Sequence, residues 1–393
     1  MNSFQKRLIK ARRKLAWRKI EGFVFLLVFS AIFGSLGYTM GMANLLNTVM
    51  KTAHDLLMNT VFYIMGITVL AGAFGKLMIE FGVIRLLEMF LAPLMRPLFN
   101  LPGVAALGGL MTFFSDNPAI ISLANDRNFR GYFKKSELVS LTNFGTAFGM
   151  GLIVMTFMVG KGYGAAALVG LAGAVVGAAV STRIMQKLVA AVFADSDELA
   201  GIEKPSSVEK APIVEDISFK SRGNIFLRFL NSILDGGKQG VDLGLAIIPG
   251  VLIISSAVML VTFGPADATA GYQGMAYEGV PVLPWLAGKF DWLFKLLFGF
   301  TAPELIAFPI TSLGAVGAAL SLINAFINQG LIGGNEIAVF TAMGMCWSGY
   351  LSTHTAMLDA LQYRELTSKA LISHTVGGLI AGVAAHYLFI VLF

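Results

Sequence analysis

Apolar residues run through this chain in blocks of about twenty, the length an α-helix needs to cross the hydrocarbon core of a bilayer. Blocks of that size fall at 22–42, 57–80, 137–160, 164–187, 240–263, 336–358 and 371–392, and each predicts a membrane-spanning helix. Two further apolar regions, 86–125 and 285–328, are too long for one crossing and too broken for two. Pro93, Pro97, Pro102 and Pro118 interrupt the first, and Pro303 and Pro309 the second. Proline removes a backbone donor and clashes with the preceding turn, so these regions predict re-entrant helical hairpins that enter and leave on one side.

The pattern also repeats. Leu98-Phe99-Asn100-Leu101-Pro102-Gly103 followed by Glu137-x4-Thr142-x2-Gly145 recurs as Leu297-Phe298-Gly299-Phe300-Thr301-Ala302 followed by Glu336-x4-Thr341-x2-Gly344, both at an offset of 199. Upstream, Gly66-Ile67-Thr68-Val69-Leu70 pairs better with Gly250-Val251-Leu252-Ile253-Ile254 at an offset of 184, which leaves about 15 extra residues in the second copy near 264–284. In a hydrophobic chain such a repeat points to a transporter, because two copies of opposite topology can enclose a midplane site that opens to either side.

Composition agrees with the spans. The mean hydropathy is +0.74, 56% of residues are hydrophobic and 13% charged, whereas about a quarter of the residues of a soluble domain are charged. The net charge of +6 does not indicate nucleic acid, because eight of the 29 basic residues lie in the first 19 positions, from Lys6 to Lys19. That cluster reads as a cytoplasmic anchor against anionic lipid. The single cysteine, Cys346, rules out an intramolecular disulfide and any cysteine cluster. Four scattered histidines argue against a dedicated transition-metal site.

Charge placement sets the orientation. With the N-terminus in the cytoplasm, Arg85, Arg127, Arg130, Lys134, Lys135, Arg183, Lys187, Arg364 and Lys369 all fall on the cytoplasmic side, and Lys51, Lys161, Lys289 and Lys295 are the exceptions. The first copy then begins outside and the second inside, so the repeat is inverted. The expected fold is an all-α polytopic membrane protein, with two inverted-topology repeats and broken helices or re-entrant hairpins. Its expected divisions are a basic N-terminus and first transmembrane helix (1–56), a first gate repeat (57–193), a polar cytoplasmic linker (194–222) and a second, inverted repeat (223–393).

Ionisable side chains inside a membrane cost a few kcal/mol, so the few present are functional candidates. Ser115-Asp116-Asn117 sits between apolar stretches and just before Pro118. A break there exposes free backbone groups beside a carboxylate, a hydroxyl and an amide, which suits a polar substrate or a coupling cation. The alternative is a turn in which Asp116 caps the helix starting at Pro118. In the second copy Glu304, and then Thr311 and Ser312, occupy the counterpart region, and Glu304 is the only acid between Asp291 and Glu336. Thr142, Asn143 and Thr146 lie early in one span, and Ser348, Ser352, Thr353 and His354 lie late in its repeat mate. Either set could turn a polar stripe inward, or its hydroxyls could simply bond carbonyls one turn back. His354 is a candidate for proton coupling or an interfacial residue. Walker A, Gly-x-Ser-x-Gly and His-Glu-x-x-His signatures are all missing, so an enzyme is not expected.

From Phe114-Ser115-Asp116-Asn117-Pro118-Ala119 through Leu141-Thr142-Asn143-Phe144-Gly145-Thr146, the sequence resembles bacterial membrane proteins of the nucleoside-recognition or "gate" domain family. That family is similar to the hairpin-bearing core of concentrative nucleoside transporters, the gates of ferrous-iron transporter B and the spore maturation proteins. Thr301-Ala302-Pro303-Glu304 looks like a permuted Gln-Thr-Glu-Ala-Pro hairpin of those transporters, with the Gln absent and Glu after Pro. The resemblance implies that hairpin tips and facing broken helices line the site, with Asp116, Asn117, Asn143 and Thr146 among the residues there.

The reading is therefore a secondary-active transporter of the bacterial inner membrane. It would move a small polar solute, with a nucleoside or nucleobase first, by alternating access coupled to H+ or Na+. No cofactor is expected beyond that ion. Membrane lipids and the solute are the expected partners, nucleic acid is not, and a homo-oligomer is left open. The alternatives are a transporter of a lipid or cell-wall precursor and a non-transporting envelope or spore-maturation scaffold, in which the polar clusters pair with one another and leave no cavity.

Overall fold

The computed structural model describes residues 3–194 and 223–393, and regular structure there is helical apart from isolated bridges such as that between Asp267 and Gly271. The basic side chains between Lys6 and Lys19, and the expected linker beyond Ala194, lie outside the described residues. Two compact units divide the chain: Met1–His54 with Met259–Val282, and Asp55–Val258 with Leu283–Phe393.

The first unit contains α1 (Ser3–Met40) and most of α2 (Met42–Asp55), separated at Gly41, whose φ of +83° a side chain would resist. Phe23, Phe25 and Leu26 stand exposed on α1, as expected of a helix that faces lipid. The insertion of the second repeat copy is the loop that packs here. Its organiser is Glu278, which is 1% exposed and accepts backbone N–H bonds from Ala266, Gln273 and Met275 at 3.0–3.2 Å. Thr52 and Asn44 of α2 tie the loop down, through Tyr277 N to Thr52 Oγ1 at 2.8 Å and Asn44 Nδ2 to Tyr272 O at 2.9 Å. At the loop's exposed end, bonds from Thr269 hold the carboxyl of Asp267 below the usual carboxylate range.

The second unit holds α3 (Phe62–Glu80), α4 (Val83–Phe99), α5 (Ala105–Phe114), α6 (Pro118–Asn125), α7 (Lys135–Thr146), α8 (Gly151–Gly160) and α9 (Gly164–Ala190). After the linker come α10 (Ile225–Ala246), α11 (Asp291–Phe298), α12 (Ala307–Gly314), α13 (Val316–Asn328), α14 (Gly334–Cys346), α15 (Tyr350–Ala360) and α16 (Thr367–Leu392). Among the described residues six helical runs are long and apolar enough to cross a membrane: Ile20–Met40, Met42–Glu80, Lys135–Gly160, Gly164–Ala190, Ile225–Leu260 and Arg364–Leu392. The pair Val282–Phe298 and Pro303–Gly314 passes the same test only when its two helices, bent by 75°, are taken together. Two runs are longer than the apolar blocks predict, since Met42–Glu80 and Ile225–Leu260 start well before 57 and 240. The block at 336–358 is two helices, α14 and α15, parted at Trp347–Gly349.

The repeat survives as geometry. Glu137 and Glu336 each fold back over the start of their helix, accepting from Lys134 N at 3.0 Å and Gly333 N at 2.9 Å, the carboxylate half of a capping box. Asn100 and Gly299 both take the left-handed conformation that ends the preceding helix, and Met150 and Gly349 both take it at a break. Each of these pairs is 199 positions apart. The hairpins α5–α6 and α12–α13 have arms of 8 to 13 residues, about 12–20 Å, which reaches roughly the middle of a ~30 Å hydrocarbon layer. The chain is thus an all-α polytopic fold of two inverted repeats with broken helices.

Small residues bring the long helices together. On α9, Gly173 and Gly177 face Ala381 and Ala385 of α16, and a methyl group on Gly177 would lie 2.5 Å from both Gly377 O and Ala381 Cβ. On α3, Thr68 donates to Gly240 O of α10 at 2.7 Å, while Gly72 and Gly236 meet backbone to backbone. Such close approach gives dispersion contact that apolar burial alone cannot supply in lipid. Arg228 of α10 locks the same pair by donating from Nε to the buried Oε1 of Glu80 at 2.7 Å. Hairpin α12–α13 is held by aromatics, with Phe308 stacked on Phe340 of α14 at 4.2 Å and Phe326 6.0 Å from the same ring.

Candidate functional site

The two hairpin tips and the two helix breaks converge on one cavity of about 340 Å³. Hairpin α5–α6 breaks because Pro118 starts α6 and Ser115 leaves helical geometry at φ −126°, ψ −104°. Hairpin α12–α13 turns at the extended Ala315. Asp116 and Asn117 enter the cavity from the first tip and Gly314 and Ala315 from the second. Met150 comes from the α7–α8 break, and Ser348, Gly349, Ser352 and Thr353 from the α14–α15 break and the start of α15.

Asn117 is the centre of this arrangement. It is 6% exposed, and its Nδ2 donates to Ser348 O at 3.2 Å and Ser348 Oγ at 3.3 Å. Its carbonyl oxygen is buried without a hydrogen-bond partner, an arrangement rare enough in native proteins to need a reason such as a missing ligand or ion. The side chain fits because both breaks lack one: a Cβ on Gly149 would strike the Asn117 amide, and a Cβ on Gly349 would lie 2.6 Å from its Nδ2. Gly149 and Gly349 are the backbone cradle for a side chain of the opposing hairpin.

Asp116 also borders a second cavity, of about 500 Å³, with Lys76, Gln239 and Asp242. A third, of about 540 Å³, shares Gly314, Ser352 and Ala356 with the first and continues to Asp359 and Arg364. The cavities therefore adjoin through shared walls, with ionisable side chains in both outer ones.

The expected site residues divide on this geometry. Ser115, Asp116, Asn117, Ser348, Ser352 and Thr353 line these cavities. Asn143 is fully buried elsewhere: its Nδ2 meets Ser181 Oγ, Ala370 O and Ser373 Oγ at 2.8–2.9 Å, joining α7 to α9 and α16. Ser181 continues that network to His374 Nδ1 at 3.0 Å. Beside His374, with ring centroids 4.5 Å apart, lies the buried His354, whose Nδ1 bonds Tyr350 O at 2.5 Å. Thr146, Thr311 and Ser312 bond carbonyls on their own helices, to Thr142 O, Ala307 O and Pro309 O at 2.6–2.7 Å. Thr142 is buried with its hydroxyl unpartnered. Glu304 sits half-buried on a short 3-10 turn, Pro303–Ile306, and lines none of these three cavities.

Several residues at the cavities are not among the sequence candidates. Lys76 and Asp242 were legible as ionisable groups within apolar blocks, the signal that singled out Asp116. Gly149, Gly349 and Ala315 carry no polar group and are recognisable only once the backbone is seen to break there. Among the described residues no group of three His, Cys, Asp or Glu is placed to hold a metal ion.

Paired hairpins facing paired broken helices, on a frame of long glycine-packed spans, define a multi-pass helical membrane protein with a concentrative nucleoside transporter fold. Solved structures of CNTnw show the likeness. An outward-facing variant matches with a TM-score of 0.55 at 12% identity, over 96% of this chain and 87% of that one. CNTnw in an inward-facing substrate-bound state matches with a TM-score of 0.54 at 12% identity, over 96% and 86%. Identity this low makes the likeness one of fold. No family model matches the chain, and the search of curated proteins found no match.

Proposed function

We propose that this protein is a secondary-active transporter that moves a small polar solute, a nucleoside or nucleobase first, by alternating access coupled to Na+ or H+. The observation that carries the reading is the cavity between hairpin tips and helix breaks, with Asp116 and Asn117 in its wall and the Asn117 carbonyl oxygen left unpartnered behind it. An amide oxygen, free hydroxyls and broken-helix backbone are the donors and acceptors that replace water around a polar solute or a hard cation. Asp116 adds one carboxylate between two cavities, a place from which it can neutralise a cation or carry a proton. The solved structures of similar fold include one described as substrate-bound, which supports a solute site in such an architecture.

A non-transporting scaffold would pair its polar clusters and enclose no cavity. Asn143 borders none of the three cavities and its amide nitrogen bonds to neighbouring helices, whereas Asp116 and Asn117 line a cavity. The test is uptake of labelled nucleosides, nucleobases and amino acids into proteoliposomes under an imposed Na+ or H+ gradient. Asp116→Asn is expected to abolish gradient-driven uptake while the protein keeps its thermal unfolding profile. Unchanged uptake would remove Asp116 from the mechanism.

A further inference from the structure

We propose that this protein carries a built-in site for one anionic phospholipid, its phosphate held at the C-terminal end of α9 and an acyl chain seated under α4. Two cavities outside the site described above make the case together. The first, of about 620 Å³, is lined by Arg96, Lys134, Arg183 and Lys187 against a single carboxylate, Glu137, a net excess of three positive charges. Asn100 and Gln186 add amide groups to the same walls. The second, of about 450 Å³, is walled by apolar side chains alone, among them Leu91, Leu94, Leu98, Leu171 and Val175.

Two helices, α4 and α9, contribute walls to both cavities. Residues of α4 up to Phe99 line the apolar one, while Arg96 and Asn100 turn to the cationic one. On α9, Leu171 and Val175 line the apolar cavity, and Arg183 and Lys187, further along the same helix, line the cationic one. From Val175 to Arg183 is eight residues, about 12 Å of helix rise. A glycerophosphate linked to an acyl chain spans that interval. The depth fits as well: α9 has 27 residues, about 40 Å, so with its middle at the bilayer centre Lys187 stands about 15 Å out, at the edge of a ~30 Å hydrocarbon layer, and Arg183 one turn deeper.

The site is preorganised. Arg96 is braced by Glu137 at 2.5 Å, Arg183 donates from Nε to Leu98 O at 2.8 Å and from Nη2 to Pro97 O, and Gln186 Nε2 donates to Asn100 O at 3.2 Å. These bonds fix the end of α4 against α9 and aim cations into one space. A bilayer offers phosphate there at high local concentration, and basic pockets between membrane helices hold such headgroups. The acyl groove beside it selects a lipid over a free phosphate.

The test uses the purified full chain in detergent, delipidated, with native mass spectrometry and thermal unfolding as readouts. The probes are phosphatidylglycerol, phosphatidylcholine, glycerol 3-phosphate and inorganic phosphate. Phosphatidylglycerol is expected to be retained and to raise the unfolding temperature more than phosphatidylcholine, and the two soluble phosphates are expected to do neither. Arg183→Gln with Lys187→Gln should cut retention roughly fivefold per charge removed. Because Arg183 also supports α4, Lys187→Glu serves as the second variant, with those carbonyl bonds intact. Leu94→Ser with Leu98→Ser should weaken lipid retention through the groove alone. Equal retention of both lipids, or no loss in Lys187→Glu, would overturn the site. An equal effect of inorganic phosphate would overturn the lipid as its occupant.

Discussion

The side-chain amide of Asn117, at the tip of one hairpin, donates to the backbone carbonyl of Ser348, at the break of a helix in the other repeat, across 231 positions of sequence. One polar side chain therefore bridges the two halves at the point where both are interrupted. Whatever enters the cavity competes for that amide or uses the oxygen on its other side.

Asn117→Ala is expected to reduce substrate affinity and gradient-driven uptake together. A lost hydrogen bond in a desolvated site is worth about 1–3 kcal/mol, a factor of roughly 5 to 150. The comparison to make is uptake and ligand-induced thermal stabilisation for wild type and variant in the same lipid. A variant with normal uptake would mean that the Asn117 amide serves hairpin docking only.

Asn143→Ala should act on stability. The two hydrogens of its amide nitrogen are shared among three acceptors on two helices inside the frame, so removal leaves buried acceptors short of a donor, at about 1–3 kcal/mol. The expected pattern is a lower unfolding temperature, with the residual folded fraction transporting at normal affinity. A selective rise in the substrate concentration for half-maximal uptake, at unchanged stability, would move Asn143 into the site.

Thiol labelling separates the same two groups directly. Cys346 is the only cysteine and is buried, so Cys346→Ala gives a silent background. Ser352→Cys, on the wall shared by two cavities, should react with a membrane-impermeant reagent added from the side that carries Arg364, and a bound solute should slow the reaction. Asn143→Cys should stay unlabelled under those conditions.

Gly177→Leu is expected to prevent the close crossing of α9 and α16. Even a methyl group there would sit 2.5 Å from Ala381 Cβ, and overpacking typically costs about 1–3 kcal/mol. Loss of the monodisperse peak in size-exclusion chromatography, or a clearly lowered unfolding temperature, is the anticipated result.

Glu80→Gln tests the second helix pair. Arg228 is three-quarters or more withdrawn from solvent and Glu80 almost wholly so, at 18% and 1% exposure. Removing one charge from such a buried pair strands the other, at about 3–5 kcal/mol. Arg228→Met combined with Glu80→Met should recover much of that loss, as measured by unfolding in detergent.

Much of this architecture was legible from the chain because its signals are local. Pro118 marks the tip of the first hairpin, although Pro93 and Pro97 lie inside the unbroken α4 and the second hairpin turns at Ala315 without a proline; Glu137 and Glu336 mark helix starts by bonding the backbone three residues earlier, and Ser115-Asp116-Asn117 stands out as polar matter in an apolar region. Asn143 was not separable from Asn117 in that way. Its partners Ala370 and Ser373 lie more than 220 positions away, and a polar residue in a span looks the same whether it faces a cavity or another helix. The break after Cys346 was equally silent, since it rests on Gly349 in a left-handed turn with no proline nearby. Lys76 and Asp242 were visible but read only as charges to be placed on one side or the other, whereas folding sets them around a cavity with Asp116.

The two helix breaks share a left-handed residue but not its chemistry, and that difference is mechanical. Met150 holds φ +54° against the crowding of its own Cβ, a strain of about 1–2 kcal/mol that its surroundings must maintain. Gly349 holds φ +66° with no such opposition and can leave it for the right-handed region freely. A rotation imposed on both repeats would then be absorbed first at Gly349. The two joints therefore differ in what holds them: packing alone keeps Met150 left-handed, whereas the backbone of Gly349 adopts the same turn without strain.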